Sequence, residues 1–449
     1  MVAVTPPVAS VRAGDVIRFK AAAADARGRP LPPAFVEWSA AALTYKAVAQ
    51  IDARGAFVAE WPGKYTVTAD IGGRRADAIV EVRRRDLGAA LEVIGRLALP
   101  FPAEAFALGP GARCAYVGTD GGPLYVVDVA RPDAVRVVDS LNGAGRVTAV
   151  RVSAERSIGV FARQGGAGGG LVVFDARMPC RPRVLAVHPA SDSSGASAVW
   201  LDGVHAYAAD AGTGSLRIVD LSDPAHPREG GRWETPTIPG RRLEDVSVTD
   251  GVAYLAYWND GLVILDVGNG IRNGRPDRPA LVAQYRYDLN DMYHWVDRAW
   301  GLGARGTHRA RRVGDVVLIS DEVHPAKTRG TGLVFGRLNA IDVADLTRPN
   351  GVAWYDPADA GIQDIWIDGD TAYLAAAGEG VRVLDVGGEL KGNLLAQGRE
   401  LARLWTVDSI GIRPFRAMAG SVEARNGLIY ALDRNTGLWI ARSASRPSE

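Results

Sequence analysis

The sequence predicts an all-β protein, in which a seven-bladed β-propeller follows a small β-sandwich. Three observations support this fold class. A short apolar phrase that ends in aspartate recurs along the chain, with intervals of 47, 45, 46, 76 and 43 residues between the closing aspartates. Strand-like segments separated by Gly, Pro, Asn and Asp fill each interval. Residues 1–82 lack the phrase but contain several short alternating segments of their own.

The recurring phrase has six clear copies. They close on Asp128, Asp175, Asp220, Asp266, Asp342 and Asp385. A period of about 45 residues indicates one supersecondary unit that is copied several times. Carboxylates in turns of the type Asp-x-Ser-Asp-Pro accept backbone N–H bonds, so we interpret these aspartates as turn residues and not as a repeated site.

One copy of the unit is clearest between residues 245 and 285. Its four predicted strands are 245–249, 253–257, 262–266 and 280–285, and Asp250-Gly251 is a hairpin turn signal. The second strand is almost continuously apolar, as expected for a strand buried on both faces. Four antiparallel strands in about 45 residues are typical of a propeller blade.

The blade count follows from the copies. Six units close their third strand on the aspartates above, and a seventh begins near Ser421 but lacks a fourth strand. We expect residues 91–97 to supply that strand, which would close the ring and remove its last open edge. A ring of six or eight blades is the alternative.

Residues 205–227 carry a family resemblance. The segments His205-Ala-Tyr-Ala-Ala-Asp210 and Leu216-Arg-Ile-Val-Asp220, followed by Leu-Ser-Asp-Pro-Ala-His-Pro227, resemble the LVIVD-repeat family of bacterial β-propellers. The resemblance covers roughly residues 91–442. It implies a propeller of the kind usually found on exported or surface-associated proteins, and it implies no single reaction.

The N-terminal region resembles bacterial Ig-like domains. The resemblance rests on the succession of residues 36–39 around Trp38, residues 49–55 and residues 62–69. It implies that Trp38 packs between two sheets and that Pro62-Gly63 turns into the penultimate strand. The charged run 83–86 is interpreted as a junction. The predicted domains are 1–86 and 87–449, and the predicted insertions in the propeller are at about 285–306, 321–335 and 387–416.

Composition limits the classes of partner. The chain has 52 basic and 51 acidic residues and a net charge of +1, so we expect no nucleic-acid binding. No run approaches the roughly 18 apolar residues of a transmembrane helix. The N-terminus has no signal-peptide pattern, and we presume that a signal was removed. We therefore expect an extracellular, periplasmic or cell-surface location, with the cytoplasm as the alternative.

The two cysteines, Cys114 and Cys180, fall in consecutive repeats. They are too few for a disulfide scaffold. A disulfide between them is one alternative, and two unpaired buried thiols are the interpretation that we favour.

The enlarged fifth unit contains the candidate metal ligands. Long insertions in a compact repeat more often have a functional reason than short turns do. The candidate ligands are His308, Asp321, Glu322, His324 and His294. No cofactor is certain, but imidazoles and carboxylates together can hold one divalent ion, either calcium or a transition metal. The alternative, which we favour, is that these groups tie down a large loop through hydrogen bonds.

A second set of polar residues is expected near the channel mouth. The candidates for ligand binding are Arg242, Glu244, Asp245, Trp258, Asn259, Asp260, Gln363 and Asp364. An aromatic ring beside an amide and a carboxylate suits a sugar or another polar ligand. The simpler alternative is a well-formed turn whose Trp258 packs on the neighbouring insertion.

The motifs give no decisive evidence for an enzyme. No nucleophile motif such as Gly-x-Ser-x-Gly occurs in the sequence. The helical spacing within 387–416 predicts an amphipathic helix that caps the ring. The leading hypothesis is an exported or cell-surface scaffold that binds a protein partner, a polar small molecule or a glycan. The alternative is a metal-dependent hydrolase or oxidoreductase at the channel mouth around blade five.

Overall fold

A computed structural model shows a chain built almost entirely from β-strands. The structure describes residues 1–32, 35–43, 48–86, 88, 90–141, 145–165, 169–192, 194–234, 242–328, 334–357, 360–409, 411–413 and 415–444. The chain divides into two compact units. The first unit comprises Met1–Gly88, Val352–Asp356 and Leu384–Leu401, and the second comprises Ala89–Gly351, Pro357–Val383 and Ala402–Glu449.

The first unit begins with nine strands. They are β1 (Val2–Thr5), β2 (Val8–Arg12), β3 (Ile17–Arg18), β4 (Lys20–Ala23), β5 (Glu37–Ala42), β6 (Ala49–Ile51), β7 (Ala56–Ala59), β8 (Gly63–Ile71) and β9 (Arg74–Arg83). One sheet has the order β2-β9-β8-β5, a second has the order β3-β7-β6, and β1 pairs with β4. Alternate residues of β9 are buried, so this strand covers a core with one face. Trp38 packs against that core, which includes Phe57 and Tyr65.

Thirteen further strands follow up to residue 233. They are β10 (Leu91–Leu97), β11 (Ala103–Leu108), β12 (Cys114–Thr119), β13 (Leu124–Asp128), β14 (Arg136–Leu141), β15 (Arg146–Ser153), β16 (Ile158–Gln164), β17 (Gly170–Asp175), β18 (Arg183–Pro189), β19 (Ala196–Asp202), β20 (His205–Asp210), β21 (Leu216–Asp220) and β22 (Arg228–Trp233). Two 3₁₀ turns, Pro110–Ala112 and Pro132–Ala134, lie between them.

The remaining strands are as follows: β23 (Leu243–Thr249), β24 (Val252–Tyr257), β25 (Gly261–Asp266), β26 (Ala280–Tyr285), β27 (Ala304–Val313), β28 (Val316–His324), β29 (Leu338–Asp342), β30 (Asn350–Tyr355), β31 (Gly361–Asp368), β32 (Thr371–Gly378), β33 (Gly380–Asp385), β34 (Gly392–Asn393), β35 (Glu400–Leu404), β36 (Ala417–Arg425), β37 (Leu428–Asp433) and β38 (Gly437–Ser443). Two short helices, α1 (Leu289–Met292) and α2 (His294–Trp300), and a 3₁₀ turn, Ala326–Thr328, accompany them.

The second unit repeats one four-stranded antiparallel sheet. The sheets β11-β12-β13-β14, β15-β16-β17-β18, β19-β20-β21-β22 and β23-β24-β25-β26 each keep chain order. All residues of β24 and β25 are buried, because neighbouring sheets cover both faces of these strands. The first strands of successive sheets contact one another in the order β11, β15, β19, β23, β27, β31 and β36, and β36 contacts β11. This arrangement is a β-propeller.

The strand before β11 completes the last sheet. Strand β10 pairs antiparallel with β38, and the register runs from Leu91 opposite Ser443 to Leu97 opposite Leu438. The prediction that residues 91–97 supply this strand is confirmed. The pairing covers the backbone groups that β38 would otherwise expose at a sheet edge.

The recurring aspartates are turn residues, as predicted. In each of the six copies the Oδ1 atom accepts the N–H of the second residue after the aspartate. Asp266 makes further bonds of this kind, because its two carboxylate oxygens accept five backbone N–H groups between residues 268 and 274. The phrase therefore fixes the turn between the third and fourth strands.

Two expectations are wrong. Cys114 and Cys180 form a disulfide with a Cα–Cα distance of 5.4 Å. Cys180 lies in the turn after β17, and the Tyr116 hydroxyl donates to the Pro179 carbonyl at 2.9 Å, which holds that turn beside β12. The favoured interpretation of two free thiols therefore does not hold.

The helix predicted within 387–416 is also absent from the described part of this segment. Gly392 and Gly398 adopt left-handed backbone conformations, which interrupt a helix. Directly after Gly398, the buried Arg399 guanidinium donates to the carbonyls of Gly387 (3.0 Å) and Gly14 (2.8 Å), inside the first unit. Apolar spacing alone suggested a helix, but buried polar groups fix an irregular path. Residues 410 and 414 of this insertion, and 329–333 of the insertion at 321–335, lie outside the described residues.

No helix among the described residues is long and apolar enough to cross a membrane.

Candidate functional site

The insertions of the fifth unit lie at one end of the hairpin β27–β28. The first insertion follows β26 and contains α1, whose N-cap Asp288 accepts the N–H groups of Asn290 and Asp291. The second follows β28. Thr307 pairs with Asp321 and Ala304 pairs with His324, so the start of β27 and the end of β28 are adjacent. We call this end of the propeller the loop face, because connections into the first strands emerge there.

Asp321 holds the two insertions together. Its carboxylate accepts hydrogen bonds from the hydroxyls of Tyr287 and Tyr293 (2.8 Å for Tyr293) and from the Asn339 amide at 3.0 Å. Tyr293 also accepts the N–H of Arg337 at 3.0 Å. Burial raises the pKa of Asp321 to about 6, although the tyrosine hydrogen bonds act in the opposite direction. The carboxylate is therefore committed to structural partners.

Glu322 lies beside two histidines. Adjacent residues of a strand point to opposite faces, so Glu322 faces away from Asp321. Its Oε1 lies 3.0 Å from His324 Nε2, and its Oε2 lies 3.7 Å from His308 Nε2. The hydrogen bond to Glu322 raises the pKa of His324. Glu322 and His324 therefore form the closer ion pair of this group.

His308 is a buried, neutral imidazole. Burial, and then the charge of Arg309, lower the pKa of His308 to about 4. Arg309 Nη1 donates to His308 Nε2 at 3.2 Å, and among the described residues His308 Nδ1 has no hydrogen-bond partner. A neutral imidazole with one nitrogen uncommitted is chemically suited to accept or donate a proton.

The five candidate metal ligands do not form one cluster. Asp321 faces the tyrosines, and His294 lies on α2, where its Nδ1 is 2.6 Å from the Asp291 carbonyl oxygen. Within the described ranges, no group of three His, Cys, Asp or Glu side chains is arranged to hold a metal ion. The structure brings together only His308, Glu322 and His324 from the predicted set.

The candidate ligand-binding residues divide between the loop face and the channel. Arg242 pairs with Glu244, and its guanidinium lies 4.6 Å from the Trp258 ring centroid. A Cβ atom at Gly306 would lie 2.1 Å from that ring, so Trp258 packs directly on β27. Asp260 accepts from Arg286 at 2.9 Å. These contacts favour the alternative in which Trp258 is a packed turn residue.

The other members of the predicted set lie on or beside the first strands. Asn259 is in the turn between β24 and β25, and Gln363 is on β31. The carboxylate of Asp245 accepts from Arg311. The carboxylate of Asp364 accepts from the Ser421 hydroxyl at 3.0 Å. Asp245 and Asp364 thus connect neighbouring first strands within the channel.

Every first strand contains a β-bulge that the sequence did not predict. Each of these strands pairs with its neighbour through a register that skips one residue near its start. The skipped residues are Glu104, Thr148, Ser197, Glu244, His308, Gln363 and Gly420. Bulges often redirect side chains near functional sites. Four of the skipped residues line a narrow polar cavity of about 20 Å³ inside the channel.

Large apolar side chains are exposed on the loop face. The connection into β27 exposes Trp295, Trp300 and Leu302, the last with 72% of its surface accessible. The connection into β36 exposes Trp405, Ile412 and Phe415, the last with 71% accessible. The signal was present in the sequence as aromatic residues inside two insertions that precede a first strand, but the sequence does not show which of these side chains are exposed.

Comparison with known proteins agrees with the fold. The structure is similar to a crystal structure of the β-propeller domain of Cps50 (Swd1) from Myceliophteria thermophila, with a TM-score of 0.52 and 12% identity. The match covers 79% of this chain and 100% of that chain. At this identity the likeness concerns the fold alone.

The repeat itself is also identified. Residues 194–235 and 240–285 match the LVIVD repeat, and these segments contain the sheets β19–β22 and β23–β26. The chain is thus a β-propeller that contains LVIVD repeats. No curated protein matches the sequence.

Proposed function

We propose that this protein is a non-enzymatic scaffold that binds a protein partner through the loop face of its propeller. The observation that carries the proposal is the exposure of large apolar side chains on the two connections described above. Exposed apolar patches on a soluble protein mark interaction sites, and tryptophan is prominent among the residues that dominate binding energy. Charged side chains around Arg242 and Glu322 supply polar groups on the same face.

The architecture proposed for the scaffold has seven blades behind an Ig-like sandwich. The cyclic contacts of the first strands and the bulge at an equivalent position in each of them support the count. The packing of Trp38 on a two-sheet core supports the Ig-like assignment. We also propose an exported or cell-surface location, which the Cys114–Cys180 disulfide supports because disulfides persist in oxidising compartments.

The test compares two double variants with the wild type. Trp295→Ser with Phe415→Ser removes apolar area from both connections of the loop face. Val184→Ser with Val187→Ser removes exposed apolar area from β18, away from that face. Immobilised proteins are exposed to an extract of the cells that make the protein, and bound proteins are cross-linked and identified by mass spectrometry.

We expect the wild type and the β18 variant to retain the same partner, with cross-links to residues 286–303 or 405–413. The loop-face variant should lose it while keeping the wild-type melting temperature. Equal retention by the loop-face variant, or cross-links confined to other surfaces, would contradict the proposal.

A metal-dependent hydrolase or oxidoreductase remains the second candidate function. The observation in its favour is the neutral His308 beside Glu322, on a bulge at the loop face. Elemental analysis of protein purified without a tag or chelator tests this candidate. A stoichiometric transition metal, with turnover of lactones, esters or glycosides, that is lost in His308→Ala would replace the scaffold proposal. Equal turnover by that variant, or no bound metal, would remove the enzyme.

A further inference from the structure

A larger cavity lies at the other end of the first strands. Its volume is about 350 Å³, which falls in the range of small-molecule sites. All its lining residues come from the C-terminal parts of the first strands, beyond the bulges. Phe106, Trp200, Ile365, Trp366 and Val422 provide apolar walls. Trp200 and Trp366 are only partly buried, so solvent reaches the cavity.

The carboxylates of this cavity already have partners. Asp364 Oδ2 accepts from the Ser421 hydroxyl (3.0 Å) and from the Val422 N–H (3.3 Å). Glu423 accepts from the Leu108 N–H at 2.9 Å and from Arg425 at 2.8 Å. Both carboxylates therefore connect neighbouring first strands. Asp364 Oδ1 also lies 3.7 Å from Arg311 Nη2, beyond hydrogen-bond distance, and Arg312 pairs with Asp250 at 3.6 Å. Among the described residues, Arg151 is the arginine of the lining without a carboxylate partner.

Three N–H donors in the lining lack acceptors. Among the described residues, Arg151 Nε, Arg311 Nη2 and Trp366 Nε1 are buried and have no hydrogen-bond partner. Within the described part of the chain, the Arg151 guanidinium makes one hydrogen bond, from Nη1 to the carbonyl of Val150 in its own strand, at 2.8 Å. Buried donors are usually satisfied, so an acceptor that comes from outside the chain is expected here.

The two guanidinium groups are held in place before any ligand arrives. Arg311 is buried, and its Nη1 donates to the buried Asp245. The guanidinium carbons of Arg311 and Arg151 lie 5.1 and 5.5 Å from the Trp200 ring centroid, within the range of cation–π attraction. Trp200 therefore positions two cations side by side, and a preorganised pair of this kind loses little entropy on binding.

We propose that this cavity binds a small organic anion. An oxyanion group, either carboxylate or phosphate, accepts hydrogen bonds from Arg151, Arg311 and Trp366, and a flat apolar body packs against Phe106 and Ile365. Arginine suits this task because its planar fork matches an oxyanion. The site lies at the opposite end of the first strands from the loop face and does not depend on the proposed scaffold function.

The experiment is a calorimetric titration of the full chain with four related probes. Benzoate and phenyl phosphate carry the anionic group on an aromatic body, benzyl alcohol is neutral, and benzylammonium is cationic. We expect both anions to bind and the other two probes to bind about tenfold or more weakly. Affinity for the anions should fall as salt rises, because charge contributes to binding.

Variants locate the site. Arg151→Gln should weaken binding of the anions about tenfold or more, and Arg151→Lys should retain part of the affinity. Arg146→Gln is the matched control, because Arg146 lies in the same strand but outside the cavity, where it pairs with Glu104 at 2.7 Å. This control should bind as the wild type does. Melting temperatures verify that each variant is folded.

Several results would overturn the proposal. They are equal affinity for benzyl alcohol and benzoate, wild-type affinity in Arg151→Gln, and no binding of either anion at millimolar concentration. Inorganic phosphate that binds as tightly as phenyl phosphate would refute the contribution of the apolar body. If Arg151→Gln does not fold, the comparison among the four probes still decides, since it needs only the wild type.

Discussion

Reducing the disulfide between Cys114 and Cys180 should destabilise the propeller by a calculable amount. The bond links residues that are 66 positions apart and belong to successive sheets. Cross-linking a loop of this length lowers the entropy of the unfolded chain, which corresponds to about 4 kcal/mol at 25 °C. For a domain on the order of 300 residues, this free energy corresponds to a fall in melting temperature of roughly 6 °C.

The assay is thermal unfolding followed by circular dichroism, for oxidised and reduced wild type and for Cys114→Ala with Cys180→Ala. Reduction removes only the cross-link, whereas the double variant also removes packing at Cys114, which is fully buried. We expect the melting temperature to fall from oxidised wild type to reduced wild type to the double variant. The reductant should not change the melting temperature of the double variant.

Equal melting temperatures of oxidised and reduced wild type would refute this reasoning. Such a result would mean that the two sheets stay together in the unfolded ensemble without the bond, so that the cross-link removes no entropy.

Three further predictions concern charged groups. Backbone N–H bonds outweigh burial and lower the pKa of Asp266 to about 2. Its contribution to stability is therefore present above pH 4 and lost as pH falls towards 2. Asp266→Ala should lower the free energy of unfolding by urea at pH 7 by about 3 kcal/mol or more, and should flatten this acid dependence. Burial raises the pKa of Asp321 to about 6. The free energy of unfolding should therefore fall by about 3 kcal/mol as pH rises from 4 to 6, and Asp321→Asn should abolish this pH dependence in the same assay. Arg85 is buried and pairs with Asp15 at 2.6 Å, so Arg85→Met should cost about 3 kcal/mol; Arg12→Met, which removes an exposed partner of the same carboxylate, should cost less than about 1 kcal/mol. Equal losses in the two arginine variants would show that burial does not decide the strength of these pairs.

The repeat made the propeller predictable, since its turn aspartates recur at the ends of six third strands. The pairing of residues 91–97 could be predicted by counting strands, because the seventh unit lacked a fourth strand and residues 91–97 belonged to no other unit. The disulfide was harder to predict, because it depends on the approach of the start of β12 to a turn in the next repeat, which local sequence does not encode. The helical spacing after Gly387 led to a wrong prediction of a helix, because buried polar side chains such as Arg399 fix the path of the chain.

The candidate site was predictable only in part. Insertions and histidines drew attention to the fifth unit, and the structure brings His308, Glu322 and His324 together there. The separation of Asp321 from Glu322 follows from strand alternation and could have been anticipated. The bulges could not have been anticipated, because one skipped residue produces no recognisable pattern in a β-rich sequence. The larger cavity arises from several strands that are distant in sequence.

The pairing of β10 with β38 also determines when the ring can close during synthesis of the chain. Leu91 finds its partner only when Ser443 has been synthesised. At ordinary translation rates, about 350 residues require roughly 20–70 s. During this time the first sheets can form, but the ring stays open and exposes unpaired strand edges to other chains. A product truncated within β38 should therefore aggregate instead of closing the ring, because its first and last sheets keep unpaired edges.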